Sequence, residues 1–570
     1  MPETLHPGVY VQEVASAVRP IEGVSTSTAA FVGVADKGPV PGTLLPSGRP
    51  AQPPLVTSFT EYTRTFGGYR ADSFLTYAVQ SFFQNGGQRL YVIRVVPTLG
   101  TAAVTLSGIT ISPGVTLSGI TISAANQGAW GSNIWVQVLP ASDGLASDFK
   151  LVVKFGSTLA EAQGNVVESY DNVTFLPTGA GPIPAGYVRS AVNSRSEYIA
   201  ITADVTALPP PSPPPPPPAV PAPTNLGNLT QLTGGTDGDT TTVNFVGSAA
   251  KDNNVTGTGI FALDKITDVN LLAIPGQGDI PTVNAAMQYC KNQRPLRDCF
   301  FIGDVGSVLD PSGNTSVVRA RRDDATPSIN TIGLAKSFAT GGITSGGVLT
   351  QIDKSSGDFG AVYFPWVYAQ DSIGTGRNPK ILLPPSGFLA GIYARIDNSR
   401  GVFKAPAGTE AGVAGALAPF VQTGDTEQDQ LNPLLINVLR SVPGSGLVVW
   451  GTRTLGSDAS WRYIPVRRMA IFLRTSIYNG IQWAVFEPND EPLWSSLRLN
   501  IRSFMLTQFR AGAFQGSKPD DAFFVLCDSK TTTQQDIDNG VVNILVGFAP
   551  LKPAEFVVLK LSQKVDQPAA

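Results

Sequence analysis

With one histidine and three cysteines in 570 residues, the chain has little from which to build reactive chemistry. The histidine, His6, lies near the N-terminus, so a Ser-His-Asp triad, a Cys-His pair or a histidine zinc site would have to rest on it. Cys290, Cys299 and Cys527 are scattered, and the first two lack metal-ligand spacing. So few thiols fit a reducing compartment and argue against a disulfide framework. The Walker pattern GxxxxGK[ST] is absent. Gly276-Gln277-Gly278 sits where a dinucleotide fingerprint belongs, but Pro281 occupies its third glycine position, so it reads as a tight turn. No cofactor or metal is expected. Charge is scarce too: 15% of residues are charged against 42% hydrophobic, and 40 basic residues against 43 acidic ones leave a net −3. That balance gives no reason to expect nucleic acid, and the low charge suggests surface buried between subunits. No apolar run is long enough to span a bilayer, and Met1-Pro2-Glu3-Thr4 opens no secretion signal, so folding in the cytoplasm without membrane insertion is expected.

What the chain does have is a strand at each end with no hairpin turn beside it. Pro7 to Val14 and Glu555 to Leu561 both alternate in period two. Each either folds back on its own domain or adds to a sheet edge of another chain. Between them, length alone calls for roughly three or four compact units. Thr28 to Val34 reads as a buried strand, Ser58 to Glu61 has capping-box spacing for a helix ending at Gly67-Gly68, and Ser73 to Asn85 reads as a second helix before the strand Leu90 to Val96. From about 255, apolar runs at Val269 to Ile274, Cys299 to Asp304 and Ala361 to Trp366, with a helix over Val283 to Lys291, suggest a parallel sheet. The last third alternates strands (Leu447 to Trp450, Gly480 to Phe486, Ala522 to Cys527) with helices, the best marked running from Asp490 to Gly512.

The stretch from about 100 to 250 is rich in Ser, Thr, Gly and Val. Val104 to Ser112 recurs as Val115 to Ser123, which predicts two alternating strands or one lengthened hairpin. Pro209 to Pro218 reads as polyproline II or an exposed spacer. Between Arg440 and Lys518, ten basic residues stand against four acidic ones, so something anionic is expected against this region. On the 490–512 helix, Arg498 and Arg502 share a face, while Leu493, Leu497, Ile501 and Phe504 form the apolar stripe.

Taken in order, several runs resemble the tail sheath proteins of contractile injection systems: contractile phage tails, R-type pyocins and extracellular devices. They include His6 to Val14, Arg19 to Gly33, Phe82 to Gly87, Pro384 to Gly387, Ala390 to Arg395, Arg400 to Pro406, Leu431 to Pro433, Trp461 to Arg468 and Phe486 to Asp490. The resemblance implies a structural protein, not an enzyme, of mixed α/β (α+β) class: a multidomain core built from both chain ends, with a small α/β domain and an inserted β-rich domain. The expected divisions are an N-terminal arm (1–24), a first core segment (25–100), the insertion (101–250, with the proline-rich loop 209–218) on the outside, an α/β middle domain (251–380), a C-terminal core domain facing an inner tube (381–548) and a C-terminal arm (549–570).

By the same resemblance, Val9, Tyr10, Val11, Glu13 and Val14, and Phe556, Val557, Val558, Leu559 and Leu561, would be inter-subunit strands. Arg498, Arg502, Arg510 and Lys518 would meet the tube. Implied partners are copies of the chain in helically stacked six-fold rings, the inner tube protein, and baseplate and terminal cap proteins. Assembly would take place in the bacterial cytoplasm, followed by residence in a virion tail or in an extracellular or membrane-docked particle. The alternatives are another self-assembling shell or surface-layer protein, or a carbohydrate-active enzyme, whose carboxylates would have to converge in a cleft.

Overall fold

A computed structural model describes residues 20–556 apart from 97–100, 175–182, 202–226, 238–241, 251–255, 307–331 and breaks of one to three residues elsewhere. The proline-rich run lies outside the described residues. The architecture is mixed α/β, organised on one eight-stranded sheet. Its order is Leu55–Val56, Leu90–Arg94, Ala29–Gly33, Leu271–Ala273, Phe300–Asp304, Gly360–Phe364, Ile436–Val442 and Gly446–Val449. The six inner strands are parallel neighbours and only the two edge pairings are antiparallel. The inner strands are apolar runs with both faces covered, as parallel sheets require: Ala29–Gly33, Phe300–Asp304 and Gly360–Phe364 are buried throughout. This sheet unites strands from 29–94, 271–364 and 436–449, so it crosses both the insertion and the division expected near 380.

Local chemistry sets most boundaries. Ser58 accepts from the Glu61 amide at 3.2 Å to start the Phe59–Phe66 helix, and Gly67, at φ 88°, ends it. The helix expected at 283–291 begins earlier, at Ile280, because Asp279 caps it and Pro281 fits its first turn. The strand expected over Gly480 to Phe486 is instead the end of the Ile464–Gly480 helix followed by a 3-10 turn at Gln482–Ala484. Ile477 and Ile481, four residues apart, pack into one apolar cluster, a helical spacing that overrides the apparent alternation.

Gly276 is the tight turn anticipated, with φ 81° and the Gln277 amide donating to the Ile274 carbonyl. A Cβ on Gly276 would meet the Phe74 ring at 2.5 Å, and one on Gly278 would meet the Gly306 carbonyl at 2.3 Å. The space a dinucleotide phosphate would need is filled by protein. Buried Asp304, at the end of its strand, accepts from the Gly276 amide and from the Ser386 amide and hydroxyl at 2.8–3.0 Å, tying this turn to the start of the Ser386–Arg400 helix.

That helix is buried along most of its length and packs on the Leu75–Gln84 helix. Two glycines allow the approach: a Cβ on Gly387 would lie 2.6 Å from the Ala78 Cα, and one on Gly391 would lie 2.5 Å from the Phe82 carbonyl oxygen. A second buried junction joins four segments. Arg468 pairs with Asp397 at 2.5 Å, donates to the Thr26 carbonyl at 2.9 Å and lies over the Tyr393 ring, whose hydroxyl meets that of Tyr363.

The insertion builds its own layer. A four-stranded antiparallel sheet (Val166–Thr174, Asp148–Phe155, Ile134–Pro140, Leu229–Gln231) and a three-stranded one (Ile199–Ile201, Ile120–Ala124, Ala103–Leu106) share a core that includes Trp130, Ile134, Phe149 and Leu151. The duplicated segment is the lengthened hairpin: Ala103–Leu106 pairs with Ile120–Ala124, and Thr110–Ser112 with Val115–Thr116. Buried Arg94 holds the insertion to the core by donating to the Ala35, Gly38 and Gln127 carbonyls.

Replacing Asp397 with Ala leaves Arg468 buried without its counter-charge and should cost about 3–5 kcal/mol in urea unfolding. Gly391→Ala should cost about 1–3 kcal/mol by forcing two helix backbones apart. Gly412→Ala, where nothing lies within 4 Å of the new methyl, serves as the neutral control.

Candidate functional site

The C-terminal layer rests on two helices, Ile464–Gly480 and Glu491–Arg510. Asp490 caps the second by accepting from the Leu493 amide, and its stripe of Leu493, Leu497, Ile501 and Phe504 is buried as the spacing requires. Against it lies a two-stranded antiparallel sheet, Phe523–Leu526 with Leu545–Phe548. Phe523, Val525, Val546 and Phe548 join the helix core. The other face turns outward, with Phe524 47%, Leu526 42% and Leu545 53% exposed. Gly547 lies opposite Phe524, and a Cβ there would stand 2.2 Å from the Phe524 ring, so the ring covers the glycine. Among the described residues no strand pairs with the outer edge of either strand. Two strands are too few to stand alone; the helix supports them, and both edges carry backbone groups able to pair with added strands.

Both chain ends leave from fixed roots. Residues 20–28 run along the Ile464–Gly480 helix. Ile21 lies against Gly480, the Val24 amide donates to Ser476 Oγ at 3.1 Å, and Thr26 Oγ1 donates to Asp397 at 2.7 Å. At the other end, Glu555 is held by a clamp. Arg453 Nε and Nη2 donate to its two oxygens at 2.8 and 2.7 Å, the Tyr463 hydroxyl donates at 3.2 Å and Asn432 Nδ2 at 3.3 Å. Burial, and then the neighbouring Glu555 charge, push the Tyr463 pKa up and keep its hydroxyl a donor. The segment from Leu551 to Phe556 also lines a groove of about 750 Å³ with Phe403, Trp450 and Arg440.

The sequence-expected residues fall as follows. Val9, Tyr10, Val11, Glu13 and Val14 lie outside the described residues, as do Val557, Val558, Leu559 and Leu561. Phe556 is 74% exposed and follows directly on the clamped Glu555. Arg498 and Arg502 have partners inside the subunit. Arg498 donates to the Cys527 carbonyl and pairs with Glu491 at 2.6 Å, holding that carboxyl below its usual range. Arg502 pairs with Asp520 at 2.8 Å. Burial pushes the Cys527 thiol up to about 11, so it is no nucleophile at neutral pH. Arg510 and Lys518 are exposed. Sequence reading missed Arg453, Tyr463 and Thr26, whose partners are remote in the chain. It also missed the strand Leu545–Phe548, although the apolar run Val541 to Phe548 signals it.

Residues 253–455 match the family model of the phage tail sheath protein central domain. Residues 456–564 match that of the phage tail sheath C-terminal domain. The two abut and together cover more than half of the chain. The chain belongs to the tail sheath family. Over 174 residues the sheath chain is 26% identical to a prophage major tail sheath protein of Pseudomonas aeruginosa (strain UCBPP-PA14), covering 30% of this chain and 44% of that protein. The match therefore spans less than half the length of that relative. Among solved structures, the fold resembles the sheath complex of an extracellular contractile injection system, PVC, in its contracted state, with TM-score 0.52, 20% identity and 99% coverage of each chain. A sheath tail protein of Listeria innocua gives TM-score 0.53 at 11% identity over 93% of this chain and 96% of that one. This is a sheath protein of contractile phage tail-like systems.

Glu555→Gln weakens the Arg453 clamp of the sheath subunit. Amide exchange over 551–556 should accelerate about tenfold or more in the unassembled chain, while the 491–510 helix keeps its protection.

Proposed function

We propose that this sheath subunit polymerises as helically stacked six-fold rings around an inner tube and contracts to drive that tube through a target envelope. The observation that carries the reading is the two-stranded sheet with both edges open, in a subunit whose two termini leave from anchored roots. On this reading, the strand around Val9 to Val14 of one neighbour and that around Phe556 to Leu561 of another add to the edges of Phe523–Leu526 and Leu545–Phe548. Backbone hydrogen bonds supply the affinity, and the outward apolar face made by Phe524, Leu526 and Leu545 is covered by added side chains. Because each arm is fixed at its root and donated beyond it, neighbours remain linked while their relative packing changes.

The role is structural and needs no cofactor. The inner tube would be met by the C-terminal domain through Arg510 and Lys518, which are exposed, with Arg498 and Arg502 contributing what charge their internal partners leave. Baseplate and terminal cap proteins would close the two ends of the polymer, and the 101–250 insertion would face outward. Assembly in the bacterial cytoplasm would precede residence in a virion tail or an extracellular or membrane-docked particle.

Negative-stain microscopy of the purified chain should show hollow helical tubes. Removal of residues 1–19, or of 557–570, should yield a folded monomer that forms none; tubes from either truncation would defeat strand donation. Reversing Arg510 and Lys518 to Glu should reduce co-sedimentation with an acidic inner tube at low salt and leave monomer stability within about 0.5 kcal/mol.

A further inference from the structure

Away from the open sheet, a cavity of about 370 Å³ lies where four segments meet. These are the end of the helix that continues through Tyr289–Gln293, the loop leading into Gly360–Phe364, the loop from Gly456 to Trp461, and the Ile464–Gly480 helix. Five cations line it: Lys291, Arg297, Lys354, Arg467 and Arg474. Two carboxylates oppose them, and both are engaged. Asp358 is shared between Lys291, at 3.0 Å, and Arg467, while Asp458 accepts from the Ser460 amide at 2.8 Å. The lining keeps a formal excess of three positive charges. Arg297 and Lys354 have no acidic partner among the described residues.

Arg467 is the best-buried of the five, with 5% of its surface exposed. Its guanidinium lies 3.7 Å from the Trp461 ring centroid and 4.6 Å from that of Phe359, so the plane is fixed by stacking. Its Nε is buried and has no hydrogen-bond partner. A buried charged donor left unmet carries its full desolvation cost, and such groups in native proteins are ordinarily satisfied. Burial pushes the Arg467 pKa down to about 10 and lowers that of Lys354, while Arg474 is lowered by burial and by the like charge of Arg297. Burial is the main cause in all three, with a smaller like-charge contribution between Arg467 and Arg474 and between Arg474 and Arg297.

We propose that this cavity binds a compact polyanion of the phosphate class. A single carboxylate brings one negative charge and leaves most of the excess in place. A diphosphate brings about three and offers several oxygens to the arginine forks and the lysine ammonium groups. The recess gathers its cations from three segments, an arrangement that fits a small multivalent anion better than one surface side chain.

The test is calorimetric titration of the unassembled 570-residue chain at physiological salt with inorganic phosphate, pyrophosphate and ADP. Pyrophosphate should bind saturably and about tenfold or more tighter than phosphate. Equal affinity for ADP would identify the phosphates of a nucleotide as an admissible source, and failure of ADP would confine the site to the free anion. Lys354→Ala and Arg297→Ala, both at positions without an ion-pair partner among the described residues, should each weaken pyrophosphate about five- to tenfold with unchanged circular dichroism. Lys530→Ala, at an exposed position that does not line the cavity, should bind as the parent does. No saturable binding, or binding unaffected by both substitutions, overturns the proposal. So does binding of a poly-glutamate peptide where pyrophosphate gives none, which would assign the cavity to protein carboxylates.

Discussion

The structure of this sheath subunit depends on one buried ion pair, Arg468 with Asp397. Both side chains are almost fully withdrawn from water, where an isolated charge is prohibitively costly, so neither can part from the other without a replacement. Thr26 meets both partners through its hydroxyl and carbonyl, and the stacked Tyr393 leads on to Tyr363 in the central sheet. The N-terminal root, the Ser386–Arg400 helix, the sheet and the C-terminal helical layer thus converge on a single electrostatic point. Any rearrangement between subunits that preserves this pair leaves these elements moving as one body, and relative motion has to be taken up outside it.

The same logic explains where the positive charge of the last third goes. Within 440–518 the basic residues look unbalanced, yet Arg440, Arg453, Arg467 and Arg468 find carboxylates at Asp425, Glu555, Asp358 and Asp397, and Arg502 finds Asp520. Each of those partners lies outside the window. A charge excess along the chain is therefore mostly balanced in space. What stays unbalanced among the described residues is at exposed Arg462, Arg510 and Lys518 and in the cavity around Arg467.

This contrast marks what could be read from the residues. Ser58 and Asp490 caps, the Gly67 stop, the buried apolar strands and the stripe on the 491–510 helix were legible because each is a local rule with a local answer. The run Gly480 to Phe486 misled because seven residues fit either period, and packing of Ile477 and Ile481 decided between them. That one sheet crosses the insertion, and that Glu555 is clamped by Arg453, are facts of contact between distant segments, and no window of sequence contains them. The glycines at 387 and 391 belong between these cases: their spacing is visible, but the backbone they admit is not.

The duplicated hairpin of the insertion carries a consequence of another kind. Its two copies lie antiparallel on each other, and the pairing of Thr110–Ser112 with Val115–Thr116 forms a separate two-stranded sheet that joins no other strand among the described residues. At the base of the hairpin, Ile122 and Ala124 enter the core of the insertion. The nine-residue word written twice in tandem therefore supplies both a strand and its complement, each copy pairing with the other.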